Sequence, residues 1–91
     1  MNKKIVLIVE MLEKWSKLMD KDLLMPNVPF PTAGGEVFWT DLAEIDGWRV
    51  QRNTVTGHCR LLDPENIRRA WGTYTGVMSL FGKVKAFNER R

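Results

Sequence analysis

The sequence predicts an α+β fold in the order α-β-β-β-α, a three-stranded antiparallel meander with two helices packed on one of its faces. Three observations carry that prediction. Residues 3–24 repeat apolar side chains at helical spacing, Asp46-Gly47 sits between two strand-like segments, and Asp63, Pro64 and Glu65 open a second apolar stripe in the manner of a capped helix.

Taking the elements in order, Ile5, Ile8, Leu12, Trp15 and Met19 recur at steps of three and four, with Met11 and Leu18 widening the stripe. The β-branched Ile5, Val6, Ile8 and Val9 favour a strand, but the helical period runs through them, so a helix over about 3–24 prevails. Glu10 precedes Lys14 by four, as Glu13 does Lys17, the favourable order for side-chain ion pairs. Val6, Leu7 and Val9 lie off the main stripe and make the first turns apolar nearly all round. Either the rest of the fold covers them or they meet a second copy as a dimer contact.

Residues 25–35 hold three prolines and end in Gly34-Gly35, which stops the helix and predicts an extended surface loop. Its Pro26 and Pro29 match the spacing of a PxxP ligand but are read as a connection.

The sheet spans about 36–63. A type I′ turn needs positive φ at both central residues, which Asp and Gly tolerate best, so Asp46-Gly47 marks the tip of a hairpin. That tip pairs Ile45 with Trp48, Glu44 with Arg49, Ala43 with Val50, Leu42 with Gln51 and Asp41 with Arg52. A four-residue second loop, 54–57, sets Val50 beside Leu61 and Gln51 beside Arg60; a three-residue loop would oppose Arg52 and Arg60, so the longer loop is preferred. Trp48, Val50, Cys59 and Leu61 then share the core face with Ile45 and Ala43. Thr40, Arg49, Gln51, His58 and Arg60 share the other, which the prediction leaves open to solvent or a partner.

Asp63 as N-cap, Pro64 at the first helical position and Glu65 in the first turn predict a helix over about 64–82 with a weaker extension to 91. Ile67, Ala70, Trp71, Tyr74, Val77, Met78, Phe81 and Val84 form its core arc. Gly72 and Gly76 lie on the opposite arc, as tolerated glycines or as a smooth strip where another backbone approaches in a dimer.

The 91 residues make one domain, with no internal repeat or linker, and a chain of this length buries only about 60–65% of its unfolded surface. A content of 44% hydrophobic and 27% charged residues excludes disorder, and a net charge of +3 is mildly basic. The start of the chain imitates a signal peptide, but Glu10 ends its apolar run after Val9, far short of a membrane span. One cysteine fits a reducing compartment, and the reading is cytoplasmic.

The inventory of reactive groups argues against an enzyme. His58 and Cys59 are neighbours that point to opposite faces of a strand, and no second His or Cys completes a metal set. No phosphate-binding loop or nucleophile motif occurs, so neither cofactor nor metal is expected. Asp41 and Glu44 are matched with arginines, which keeps them ionised. What remains is a non-catalytic interaction module, with a protein partner or its own copy as the first choice and nucleic acid as the second. The partner contacts would come from Trp39, Arg49, Gln51, Arg60, Arg68 and Arg69, an arginine and aromatic cluster of the kind that stacks single strands.

Overall fold

The computed structural model describes residues 3–89. Met1 and Asn2 of the signal-like start, and Arg90 and Arg91 of the weak helical tail, lie outside the described residues. Helix α1 (Lys3–Leu18) leads to strands β1 (Phe30–Pro31), β2 (Trp39–Ile45), β3 (Trp48–Asn53), β4 (Cys59–Leu62) and β5 (Ile67–Gly72), and helix α2 (Tyr74–Glu89) closes the order. The α+β class holds, but the sheet has five antiparallel strands in the order β1-β5-β4-β3-β2, not three.

The predicted 64–82 helix is the main correction. Asp63, Pro64, Glu65 and Asn66 form a hairpin turn: Asp63 N donates to Ile67 O at 3.0 Å, Asn66 N donates to Asp63 O at 2.9 Å, and Asn66 has a φ of 63°. Asp then Pro begins a helix and a type I turn alike, and a left-handed Asn is what reverses the chain. Ile67, Ala70 and Trp71 therefore belong to β5. The true helix cap is Thr73, whose hydroxyl accepts a hydrogen bond from Gly76 N at 3.1 Å. α2 then buries Gly76, Val77, Leu80, Phe81 and Val84, while Tyr74 stays exposed.

α1 stops at Leu18 rather than near 24, because Asp20 draws the chain into a turn, its carboxylate accepting from Asp22 N at 2.9 Å and its carbonyl from Leu23 N at 3.0 Å. The intrahelical ion pairs predicted for Glu10 and Glu13 do not form; among the described residues only Arg49–Asp41 and Arg69–Asp63 close. Beyond the turn, residue Leu24 bridges Gly72 and Met25 N donates to Trp71 O at 2.9 Å, so the segment runs back beside β5 before joining it again as β1.

The first hairpin begins in the predicted register, with Ile45, Glu44 and Ala43 opposite Trp48, Arg49 and Val50. A bulge at Leu42 then shifts the pairing, so Asp41 meets Gln51 and Thr40 meets Arg52. That extra residue turns Trp39 and Asp41, rather than Thr40, onto the polar face. In the second hairpin Val50 pairs with Leu61 and Gln51 with Arg60, as the four-residue loop requires.

The core lies between one sheet face and both helices. Ile8 and Leu12 of α1, Val77, Leu80, Phe81 and Val84 of α2, and Trp48, Val50, Cys59, Leu61 and Ala70 of the sheet form one buried cluster. The segment that follows α1 packs its backbone closely against β5 at Gly72 and against α2 at Gly76. A Cβ on Gly72 would lie 2.8 Å from Leu23 O, and one on Gly76 would overlap the same carbonyl. The sheet's two borders differ: β1 is two residues long and contains Pro31, whereas β2 runs for seven residues interrupted only by its bulge.

Candidate functional site

On the face away from the helices, the sequence brings four of its six predicted contact residues together. Gln51, fully buried, is the hub. Its Nε2 donates to Asp41 Oδ1 at 2.7 Å and to Gly35 O at 3.3 Å, while its Oε1 accepts Nε and Nη2 of Arg60 at 2.8 and 2.6 Å. The Arg60 guanidinium lies over the Trp39 ring, 3.8 Å from its centre. Arg49 donates from Nη2 to Gly34 O at 2.9 Å and to Asn66 Oδ1 at 2.8 Å, and faces Asp41 at 3.7 Å. It does not pair with Glu44, whose carboxylate instead accepts Gly47 N at 2.9 Å.

This face is not open as predicted. The glycine end of the 25–35 loop crosses it, and Arg60 retains only 9% of its exposure. Gly34 is needed there: its φ is +67°, and a Cβ would sit 2.5 Å from the Asn66 side chain and 2.6 Å from Arg49. Thr32 anchors the crossing by donating from both N and Oγ1 to Asn66 O, at 3.0 and 2.7 Å. Hydrogen bonding from Gln51 holds the Asp41 carboxyl below its usual value, helped by Arg49 and Arg60 and opposed by burial. Burial pushes the Arg60 pKa down, as do the neighbouring charges of Arg49 and Arg68.

The other two predicted contacts are also engaged, Arg68 beside this cluster, near enough for its charge to act on Arg60, and Arg69 apart from it. Arg68 donates from Nε to Asn27 Oδ1 at 2.7 Å and stacks between Phe30 and Trp71, 5.3 and 5.1 Å from the ring centres. Arg69 turns into the buried carboxylate of Asp63 at 2.9 Å, which also accepts Glu65 N and Ile67 N at 2.8 and 3.1 Å. Trp71, read as core, instead donates its indole N–H to Pro26 O at 2.9 Å.

The five predicted dimer contacts divide. Val6 and Leu7 stand exposed at 38% and 46%, and Val9 is half-buried. Gly72 and Gly76 are buried against the chain's own Leu23, so the close backbone contact is intramolecular. Leu18 (69% exposed) joins Leu7 on the outside of α1, and Trp15 (39% exposed) has the Lys83 ammonium over its ring at 3.9 Å, whereas their helical spacing predicts both for the core stripe. The signal was present in the 4-3-4 spacing of Leu7, Met11, Lys14 and Leu18, a row separate from Ile5, Ile8, Leu12 and Met19.

A concavity of about 440 Å³ lies between the C-terminal half of α1 and residues 24–29, with Leu12, Met19, Leu24, Pro29, Arg69 and Ala70 among its walls. Among the described residues, no group of three or more His, Cys, Asp or Glu side chains could hold a metal ion, and no helix is long and apolar enough to cross a membrane. Comparison of the chain with protein-family models, with curated proteins and with solved structures finds no match.

Proposed function

We propose that the chain is a small non-catalytic interaction module whose favoured partner is its own copy, in a reducing compartment such as the cytoplasm. One observation carries this reading: α1 keeps Leu7, Trp15 and Leu18 on its outer side, at 46%, 39% and 69% exposure, while both helices already share a filled core. A row of large apolar side chains on one helix is what a helical partner buries.

The nucleic-acid alternative has less support. A single-strand binder needs arginines free to reach phosphates and rings free to stack, whereas Arg49, Arg60, Arg68 and Arg69 all bond within the chain and Trp39 lies against Arg60.

Sedimentation velocity from about 5 to 500 μM tests the reading. A concentration-dependent shift from monomer to dimer is expected, and a monomer throughout would remove self-association. Titration with random single-stranded RNA at about 20 mM salt tests the alternative, since phosphate contacts are strongest there.

A further inference from the structure

The apolar row on α1 is also self-complementary, which specifies how two copies meet; this step rests on the self-association reading. At about 100° per residue, Leu7, Met11, Lys14 and Leu18 fall within about 60° of one another. The row is centred about 110° round the helix from the buried Ile8 and Leu12; Leu7 and Leu18 stand exposed, while Met11 at its inner edge also packs against the core. Its 4-3-4 spacing is that of a two-helix seam, with Lys14 offering its aliphatic stem.

We infer that α1 pairs antiparallel with α1 of a second copy about a two-fold axis passing near Leu12 and Glu13. Reversal about that point sets Leu7 against the partner's Leu18 and Met11 against the partner's Lys14, and a two-fold axis repeats both contacts. Charge agrees with the same register. Glu10 and Lys17 flank the row on its outer side, neither forms an ion pair with another of the described residues, and reversal sets Glu10 beside the partner's Lys17 twice per dimer. A parallel pairing would instead put Glu10 and Lys17 on the opposite flank of the seam from the partner's copies, facing the side of Ile8 and Trp15 and leaving both charges unmatched. On this flank α2 reaches α1 through Lys83, whose ammonium lies 3.9 Å from the centre of the Trp15 ring, beside the row rather than on it. A seam of two 16-residue helices, each about 24 Å long, lies at the small end of specific interfaces, so the dimer is weak.

The experiment is a charge-reversal cycle read by sedimentation equilibrium at about 50 mM salt, with far-UV circular dichroism and the urea midpoint confirming that each variant folds. Glu10→Lys and Lys17→Glu should each weaken the dimer about tenfold, and the double variant should return to within about threefold of the native chain. In parallel, a Leu7→Cys chain mixed with a Leu18→Cys chain under oxidising glutathione should form a mixed disulfide. Leu7→Cys alone should not, because its two copies would lie about 16 Å apart along the seam. Cys59, fully buried, does not compete. A native dimer that ignores the charge reversals, or a Leu7→Cys chain that links to itself, overturns this seam and leaves self-association standing. A native chain that stays monomeric overturns both.

Discussion

The Arg60 guanidinium is held on two sides at once: the Trp39 ring lies 3.8 Å beneath it, and Gln51 Oε1 accepts two of its N–H groups. A buried cation with one neutral acceptor depends heavily on that acceptor. Gln51→Leu should cost about 3 kcal/mol in urea unfolding, because it strands Arg60. Adding Arg60→Met should recover at least about 1 kcal/mol of that loss. A double variant no more stable than Gln51→Leu alone would show that the packing of Gln51, not the charge it satisfies, is what matters.

Two glycines of α2 should respond in opposite directions to the same substitution. Gly76→Ala gains helix propensity but drives a Cβ into the Leu23 carbonyl, and should destabilise by about 2 kcal/mol net. Gly82→Ala meets open space and should stabilise by about 1 kcal/mol. Thermal or urea denaturation of the two variants checks both signs.

Asp63, wholly buried, gathers two backbone N–H groups and Arg69. Asp63→Ala should cost about 3–5 kcal/mol, since it frees the β4–β5 turn and leaves a guanidinium that is 8% exposed without its counter-charge. If urea unfolding of Asp63→Ala shows a loss under about 1 kcal/mol, water has reached Arg69.

Acid should act through Asp41. Its folded-state pKa is depressed, chiefly by the hydrogen bond from Gln51, so the stabilisation it provides is complete above its unfolded value near about 4 and disappears as pH falls through the lower folded value. Asp41→Asn should therefore flatten the stability curve below about pH 4 and leave its slope near neutrality unchanged. Urea midpoints from about pH 2.5 to 7 give the comparison.

Much of the sheet was legible because its information is local. Asp46 and Gly47 have φ of 50° and 88°, as a type I′ turn demands, and charge repulsion between Arg52 and Arg60 was enough to choose the second loop. β5 was misread because Asp63-Pro64 suits a turn and a helix equally, and the spacing of Ile67, Ala70 and Trp71 imitates a helical face. β1 left no trace, since Phe30 pairs with Arg68, a contact no local pattern encodes. The candidate site was legible in membership but not in exposure: alternation put Arg49, Gln51 and Arg60 on one face, yet their cover comes from carbonyls of Gly34 and Gly35, a group every residue carries.

The unequal borders of the sheet give the molecule a direction. At β1, a two-residue strand carrying Pro31 presents no continuous row of donors to an incoming chain, so accretion cannot extend the sheet there. At β2 the row is seven residues long and is preceded by Val37 and Phe38, 75% and 64% exposed, with the Leu42 bulge as its principal interruption. Strand-mediated aggregation of the folded chain would therefore begin at β2, and straightening that one bulge would remove the main brake on it.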